Sequence, residues 1–421
     1  MPLTPGELAR RLRAAREACA MKQEDVARHL GVSRSTIAQI ELGHRAVSSL
    51  ELDRLAYLFG RDIRELLADQ FQEEDALVAL FRRHPEMADH EQAFDALRKC
   101  VALGREITDL ESALGIDRDL AALPAYPAPP PKSKWDAILQ GEHIAIEERR
   151  RLGLGANPVP SLVPLLESQG VRTAQVPLPP DISGLTLVEP GRGALVVVNL
   201  GHAVSRRRFS FAHEYCHTLL DRDQRGTISR TGDQDSLRET RANVFAAAFL
   251  MPREGIGEFV RGLAKGRPSR LQAEVFDGEE AFVAEARTTP GSQALQLHDA
   301  VLLAHHFGVS RVAALYRLKN LKLLTDPAFD ELKAQEDQGL GKALLLFLGL
   351  PDPDEEAARN ESRHRFLALA LEAFRREEIS RRKLFELARM VEVTEEALEA
   401  ILVRVHLDES TAAAGVLVPE E

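Results

Sequence analysis

The sequence predicts a multidomain, mainly α chain: an N-terminal all-α helix-turn-helix bundle, a central α+β unit with a small sheet, and a C-terminal all-α region with helix-turn-helix-like units. Three observations predict it. Apolar residues recur at helical spacing on both sides of the centre, whereas apolar and alternating strand-like runs cluster between Val171 and Asn199. Five prolines within residues 123–134 make a stiff, extended linker and the sharpest boundary in the chain. The intervals of one turn, Ala27, Gly31, Ser33 and Ile37, recur toward the C-terminus. Boundaries follow at 1–68, 69–122 (a helical connector), 123–134, 135–260 and 261–421.

Composition excludes several classes. Hydrophobic content of 44% and charged content of 28% describe an ordinary globular protein. No apolar run is long enough to span a membrane, and the start, MPLTPGELARRLR, has no secretory core. Three widely spaced cysteines argue against a disulfide framework and for a reducing cytoplasm. The net charge of −11 means that any DNA contact comes from a local basic face. Residues 1–45 carry eight Lys/Arg against five Asp/Glu, while residues 326–361 carry three against ten.

In the N-terminal segment five short helices can be read. Thr4 with Glu7 is a capping-box pattern, and Leu8, Leu12 and Ala15 follow at helical spacing. Gln23–Leu30 is the second helix and Ser33–Ile40 the third. Gly31 between them tolerates a left-handed turn, and Ser33 is an N-cap. Small Ala27 and apolar Ile37 suit two helices crossing closely, which is helix-turn-helix grammar. Arg34, Ser35, Thr36 and Gln39 project from the first half of the third helix toward base edges or phosphates, and Arg45 is a phosphate candidate. A helical bundle that binds protein is the plainer alternative. Residues 12–60, LRAAREACAMKQEDVARHLGVSRSTIAQIELGHRAVSSLELDRLAYLFG, resemble the XRE (Cro/C1-type) family along nearly their whole length. The resemblance implies that Gln23 also faces DNA, and a dimer on a two-fold site is the expected arrangement.

The connector places Leu77, Leu80, Phe81, Phe94, Leu97 and Val101 at helical spacing, and Lys99–Leu114 suits a long helix, either as a coiled-coil seam or as bundle packing. Trp135, the only tryptophan, follows the linker and reads as an anchor for the next domain.

The central unit opens with helices at Glu142–Arg151 and Ser161–Gln169. Strands follow at Val171–Val176, Gly184–Val188 and Ala194–Asn199. Then comes FSFAHEYCHTLL, residues 209–220. On a helix, His213 and His217 share one face a turn apart and can reach one ion, with Glu214 offset by about 100° beside it. A scaffold helix that merely carries two histidines is the alternative. Further on, ETRANVFAAAFLMP sets Glu239 and Asn243 four apart. Glu239 could complete a His-His-Glu zinc site with an open position, and Asn243 could hydrogen-bond a ligating histidine from behind.

These two segments, with Arg151–Gly155, Ser168–Val171 and Arg206–Phe209, resemble the ImmA/IrrE family of zinc metallopeptidases over roughly residues 145–255. The resemblance implies a zincin-like fold and one Zn2+ per chain on His213, His217 and Glu239. It also implies Glu214 as the general base of an endopeptidase. Cys216 stands where the family often has glycine; a small side chain there packs, and a fourth thiolate ligand would close the site. Tyr215 and His202 are the candidate additional oxyanion donors.

Toward the C-terminus, Ala304–Gly308–Ser310–Ala314 and, without the glycine, Ala388–Glu392–Thr394–Leu398 repeat the helix-turn-helix intervals. DNA binding there competes with a structural or docking role. Pro351–Glu356 reads as a solvated acidic loop and Val416–Glu421 as a fraying end.

The expected function is that of a zinc-dependent endopeptidase with DNA bound by the same chain; the family resemblance suggests that its substrate is a transcriptional repressor protein, whose inactivation switches on stress, mobile-element or phage-defence genes. The family resemblance suggests a trigger linked to DNA damage, with single-stranded DNA as a candidate activator. The runner-up is a transcriptional regulator whose zinc domain is structural or a sensor, without turnover, and a third reading is a self-cleaving regulator.

Overall fold

The computed structural model describes residues 3–19, 21–59, 61, 63–68, 71, 91–116, 123–189, 193–224, 226–230, 232, 236–265, 270–277, 280–287 and 291–405. The expectations for residues 77–81 and for Val416–Glu421 lie outside these.

The N-terminal unit is five helices: α1 (Pro5–Ala18), α2 (Gln23–Leu30), α3 (Arg34–Glu41), α4 (Ser49–Leu58) and α5 (Ile63–Leu67). Local chemistry sets the ends. Thr4 accepts from the Glu7 amide, Ser33 from Thr36, and Ser48 forms a reciprocal box with Glu51. Gly31 takes φ 70°, a left-handed conformation that glycine adopts without a Cβ penalty. The helices bury Leu12, Ala15, Val26, Ala27, Ile37, Ile40 and Leu55.

The next described helix is α6 (Glu91–Ala113), whose Arg98 donates to the Leu58 carbonyl at 3.0 Å. The apolar residues of α6 pack within the chain: Leu97, Cys100, Val101, Ile107 and Leu110 are all buried in its core. A Cβ at Gly104 would stand 2.7 Å from Leu195 Cδ2, so glycine lets α6 lie directly on the sheet.

That sheet has the order β1 (Val171–Val176), β3 (Gly193–Asn199), β2 (Ile182–Glu189), β4 (Gly226–Arg230); β1 is parallel to β3, and the other pairs are antiparallel. Alternation divides its residues between two cores. Ala174, Leu185, Leu187, Leu195, Val197 and Ile228 join the core of α1–α6, together with α16 (Glu355–Arg375), α17 (Arg381–Met390) and α18 (Glu395–Arg404). Val171, Val188, Ala194, Val196 and Val198 join a second core with α7 (Lys134–Arg151), α8 (Leu162–Ser168), α9 (Val204–Leu220), α10 (Leu237–Leu250) and α11 (Arg253–Gly262). The second core continues into α12 (Leu297–Phe307), α13 (Arg311–Asn320) and α14 (Asp326–Asp337), with α15 (Leu340–Phe347) packed at its edge.

Three expectations are corrected. The helix expected from Glu142 begins at Lys134, capped by Ser133. Trp135 is no anchor: it is 67% exposed, and Ala137, Gly141, Ile144 and Ala145 do the packing. Gly141 is needed there, because a Cβ would meet the Arg241 carbonyl at 2.6 Å where α7 crosses α10. Within the region read as all-helical, β5 (Arg270–Asp277) and β6 (Glu280–Arg287) pair as an antiparallel hairpin.

The two C-terminal repeats share the turn geometry of α2–α3. Gly308 (φ 65°) and Ser310 join α12 to α13, and Glu392 (φ 59°) and Thr394 join α17 to α18. Glu392 is a non-glycine in a left-handed conformation, and its carboxylate bonds Arg359 and Arg363. The acidic stretch is not wholly loop: Asp354 caps α16 and Glu355 pairs with Arg207 at 2.7 Å.

One buried ion cluster ties three elements together. Glu111 of α6, 1% exposed, accepts from Arg172 of β1 at 2.7 Å and from Arg365 of α16 at 2.8 Å. Glu111→Ala leaves the Arg172 charge buried and short of its partner, and is expected to destabilise the fold by about 3–5 kcal/mol. Glu17→Ala, at an exposed pair with Arg13, costs about 0–1 kcal/mol. Thermal unfolding of the two variants checks the contrast.

Candidate metal centre

The centre forms where α9 crosses α10 over the face of β2. From Ser210 to Leu219 every residue of α9 is buried, so its histidines are held by packing on all sides. His213 and His217 sit one turn apart with Nε2 atoms 3.2 Å from each other. Glu239, in the first turn of α10, places Oε2 3.0 Å from His213 Nε2 and Oε1 3.3 Å from His217 Nε2. Around a tetrahedral zinc with bonds of about 2.05 Å, neighbouring donors stand about 3.3 Å apart. The three donors therefore fit one zinc ion without rearrangement, and among the described residues they are the one group of this kind.

Both imidazoles are oriented from behind. His213 Nδ1 lies 3.0 Å from Asn243 Oδ1, and His217 Nδ1 lies 2.9 Å from Asp221 Oδ2. These acceptors hold a proton on Nδ1 of each ring and turn both Nε2 atoms toward the common point. Asp221 is fixed in turn by Arg241 at 2.7 Å and Arg238 at 3.1 Å.

The charges follow from these contacts. Burial would lower the His217 pKa, but hydrogen bonds to Asp221 and Glu239 outweigh it and raise it to about 10. Burial would raise Asp221, but His217 and Arg241 bring it down to about 2. Glu239, despite its burial, is held well below the usual carboxylate range by the two imidazoles.

Glu214 differs in kind. It is fully buried and not one of the three converging donors. Its Oε2 accepts from Thr186 Oγ1 of β2 at 2.7 Å, while Oε1 has no hydrogen-bond partner among the described residues. Burial raises its pKa against the pull of the neighbouring imidazoles and of the Ser229 and Thr186 hydroxyls. Gly184 makes the space: a Cβ there would stand 2.9 Å from Glu214 Oε1 and 2.9 Å from the Val197 carbonyl.

Neither candidate oxyanion donor faces this group. Tyr215 is fully buried and its hydroxyl donates to Glu148, while the His202 ring lies on the Pro180 carbonyl at 3.2 Å. Cys216 is buried and protonated, with its pKa pushed well up by burial, and is not among the converging donors. Sequence reasoning missed Asp221 and Thr186. Asp221 lies four residues after His217, a spacing that could have found it. Thr186 comes from a strand nearly thirty residues upstream and carries no local signal.

In the N-terminal unit Arg34, Ser35, Gln39 and Arg45 are exposed, and Thr36 is half-buried under the Ser33 cap. Gln23 donates to Glu41 at 2.9 Å, and Arg45 pairs with Glu51 at 2.9 Å.

Residues 7–69 match the family model described as a helix-turn-helix domain, and residues 166–266 match the peptidase-family model described as the IrrE N-terminal-like domain. No curated protein matches the chain. The chain thus joins a helix-turn-helix domain to an IrrE-like peptidase-family domain. Among the described residues no helix is long and apolar enough to cross a membrane.

Two measurements test the centre. Purified protein should hold about one zinc per chain, His217→Ala should lose it, and Asp221→Asn should bind zinc about 10–100-fold more weakly. With the His217 pKa raised to about 10, its imidazole carries a proton at pH 7 that zinc must displace. Zinc uptake by chelator-treated protein should therefore release about one proton, and affinity should fall as pH is lowered. Calorimetry in buffers of different ionisation enthalpy reads the proton directly.

Proposed function

We propose that this chain is a DNA-binding regulator that is also a zinc-dependent endopeptidase. Its substrate would be a transcriptional repressor protein, and cleavage would derepress stress or defence genes. Single-stranded DNA or another product of DNA damage is the proposed activator. The observation that carries the peptidase reading is Glu214. A structural zinc site has no use for a carboxylate that is fully buried next to the two imidazoles, raised in pKa by that burial and held by no cation among the described residues.

His213, His217 and Glu239 would hold the ion, which when bound supplies Lewis-acid activation of water and of the scissile carbonyl. The chain's own residues do the proton work. Thr186 fixes Glu214 Oε2, so that Oε1 is the oxygen available to accept a proton from the attacking water. The raised pKa lets Glu214 keep that proton long enough to deliver it to the leaving amine nitrogen. Asn243 and Asp221 keep the imidazole rings from turning while charge moves. Arg34, Ser35, Thr36, Gln39, Gln23 and Arg45 are the proposed DNA contacts. The pair that Arg45 makes with Glu51 is of the kind that exchanges for phosphate at little cost, whereas Gln23 would have to leave the buried carboxylate of Glu41.

The full enclosure of Glu214 is what favours the second reading, a transcriptional regulator whose zinc domain is structural or a sensor. One variant separates the two. Glu214→Gln is expected to keep its zinc and lose about 10²–10⁴-fold in cleavage of a repressor encoded beside the gene, assayed with and without single-stranded DNA. Undiminished cleavage by that variant would sink the general-base assignment. Failure of the wild type to cut any such repressor leaves the non-catalytic regulator.

A further inference from the structure

Helix α15 is apolar on every side. Between Asp337 and Asp352 the chain reads QGLGKALLLFLGLP, with Lys342 its only charge. Such a helix belongs in an interior, packed all round. Here one side is packed: Gly341 is buried, and Leu344 and Leu345 lie half-buried against the core that contains α12. The other side is open. Leu340, Ala343 and Phe347 follow one another at helical spacing and are exposed, with Leu346 beside them. Phe347 is 85% exposed, more than any other large apolar side chain among the described residues, and Leu346 is 65% exposed. Single exposed apolar residues are ordinary, but a whole helix face is a docking surface.

The surroundings say what docks. Asp330 and Glu331 precede the helix and Asp352, Asp354 and Glu356 follow it, all exposed, while Asp337 is paired with Lys333. A second copy of this chain would bring two acidic rims together. A helix with an apolar face and basic flanks would meet both features.

We propose that the open face of α15 docks an amphipathic, basic-flanked helix of the protein that the peptidase domain cleaves. The word "cleaves" rests on the function proposed above; the docking itself does not. The helix α15 packs on α12, which shares one core with α9 and α10, so a protein seated there is held at a fixed position relative to the metal centre. Affinity for the substrate would then come from this face, and the metal centre would need to select only the scissile bond.

The test is binding, not turnover. Two designed peptides, about five helical turns long, share one Leu/Ile/Phe face; one carries Lys and Arg on its other face, the other Glu. Each is titrated into the full-length wild-type protein by fluorescence anisotropy. The basic peptide should bind about tenfold or more tightly than its acidic twin, with the gap closing as salt is raised. Phe347→Ser and Leu346→Ser should each weaken it about tenfold, at unchanged zinc content, which shows the variants are folded. Asp352→Lys/Asp354→Lys should erase the preference for the basic peptide. Equal binding of the twins, or binding unmoved by Phe347→Ser, overturns the proposal. So does wild-type self-association in sedimentation that Phe347→Ser abolishes, since the occupant is then a second copy. Because no readout involves peptide-bond cleavage, an inactive Glu214 assignment would leave these outcomes unchanged.

Discussion

The structure turns on keeping a cluster of charged and polar groups out of water at one helix crossing. His213, His217, Glu214, Glu239 and Asp221 are each less than a tenth exposed, and Arg241, the largest fully buried side chain among the described residues, lies against them. Burying such groups singly would cost several kcal/mol apiece, so each must meet a partner. The partners come from everywhere nearby: Asn243 and Arg241 from α10, Thr186 from β2, Asp221 from the end of α9. Close approach of backbones is the second requirement. Gly184 lets the strand pass under Glu214, and Gly141 lets α7 pass over α10 behind Arg241. Side chains at either glycine would push apart the surfaces that hold the donors at zinc distance.

The sheet carries this constraint to the rest of the chain. Its described residues have no solvent face: α9 covers one side, and α6, which shares a core with the helix-turn-helix unit, covers the other through Gly104 and Leu195. Glu111 then joins α6 to β1 and α16 by buried ion pairs. The segment that presents Arg34 and Gln39 and the strand that fixes Glu214 are thus parts of one packed body, with a β-sheet as the shared wall.

Much of this was legible because it is local. The spacing of His213, Glu214 and His217, the turn Gly31–Ser33 and the pair Glu239 and Asn243 are determined within a few residues, where helix geometry decides which side chains share a face. Strands were legible where apolar runs are long, as in Ala194–Asn199, and not in Gly226–Arg230, which is short and polar. What escaped depends on distant partners. Tyr215 sits beside Glu214 in sequence, yet one residue of helix turns it away, and a buried Glu148 takes its hydroxyl. Trp135 looked like an anchor because tryptophan usually buries its ring. Here the helix's small residues face inward to meet α10, so the ring is on the outside. The hairpin at residues 270–287 breaks a region otherwise helical, and its alternation is interrupted by charge.

The three helix-turn-helix geometries show why shape alone does not assign DNA binding. The turns at Gly31, Gly308 and Glu392 have φ values of 70°, 65° and 59°, and each is followed by a hydroxyl N-cap. The backbone is therefore nearly the same device used three times, and its first role is to let two short helices cross closely over small residues such as Ala27, Ala304 and Ala388. What differs is the helix that follows. In α3 the exposed positions are Arg34, Ser35 and Gln39, all able to donate to phosphate or base edges. In α13, Arg311 is committed to Glu336 and Arg317 is buried on Glu142. In α18 the first turn carries Glu395 and Glu396, which a phosphate backbone repels. The same turn is thus followed once by a helix with exposed donors and twice by helices whose charges are paired or acidic.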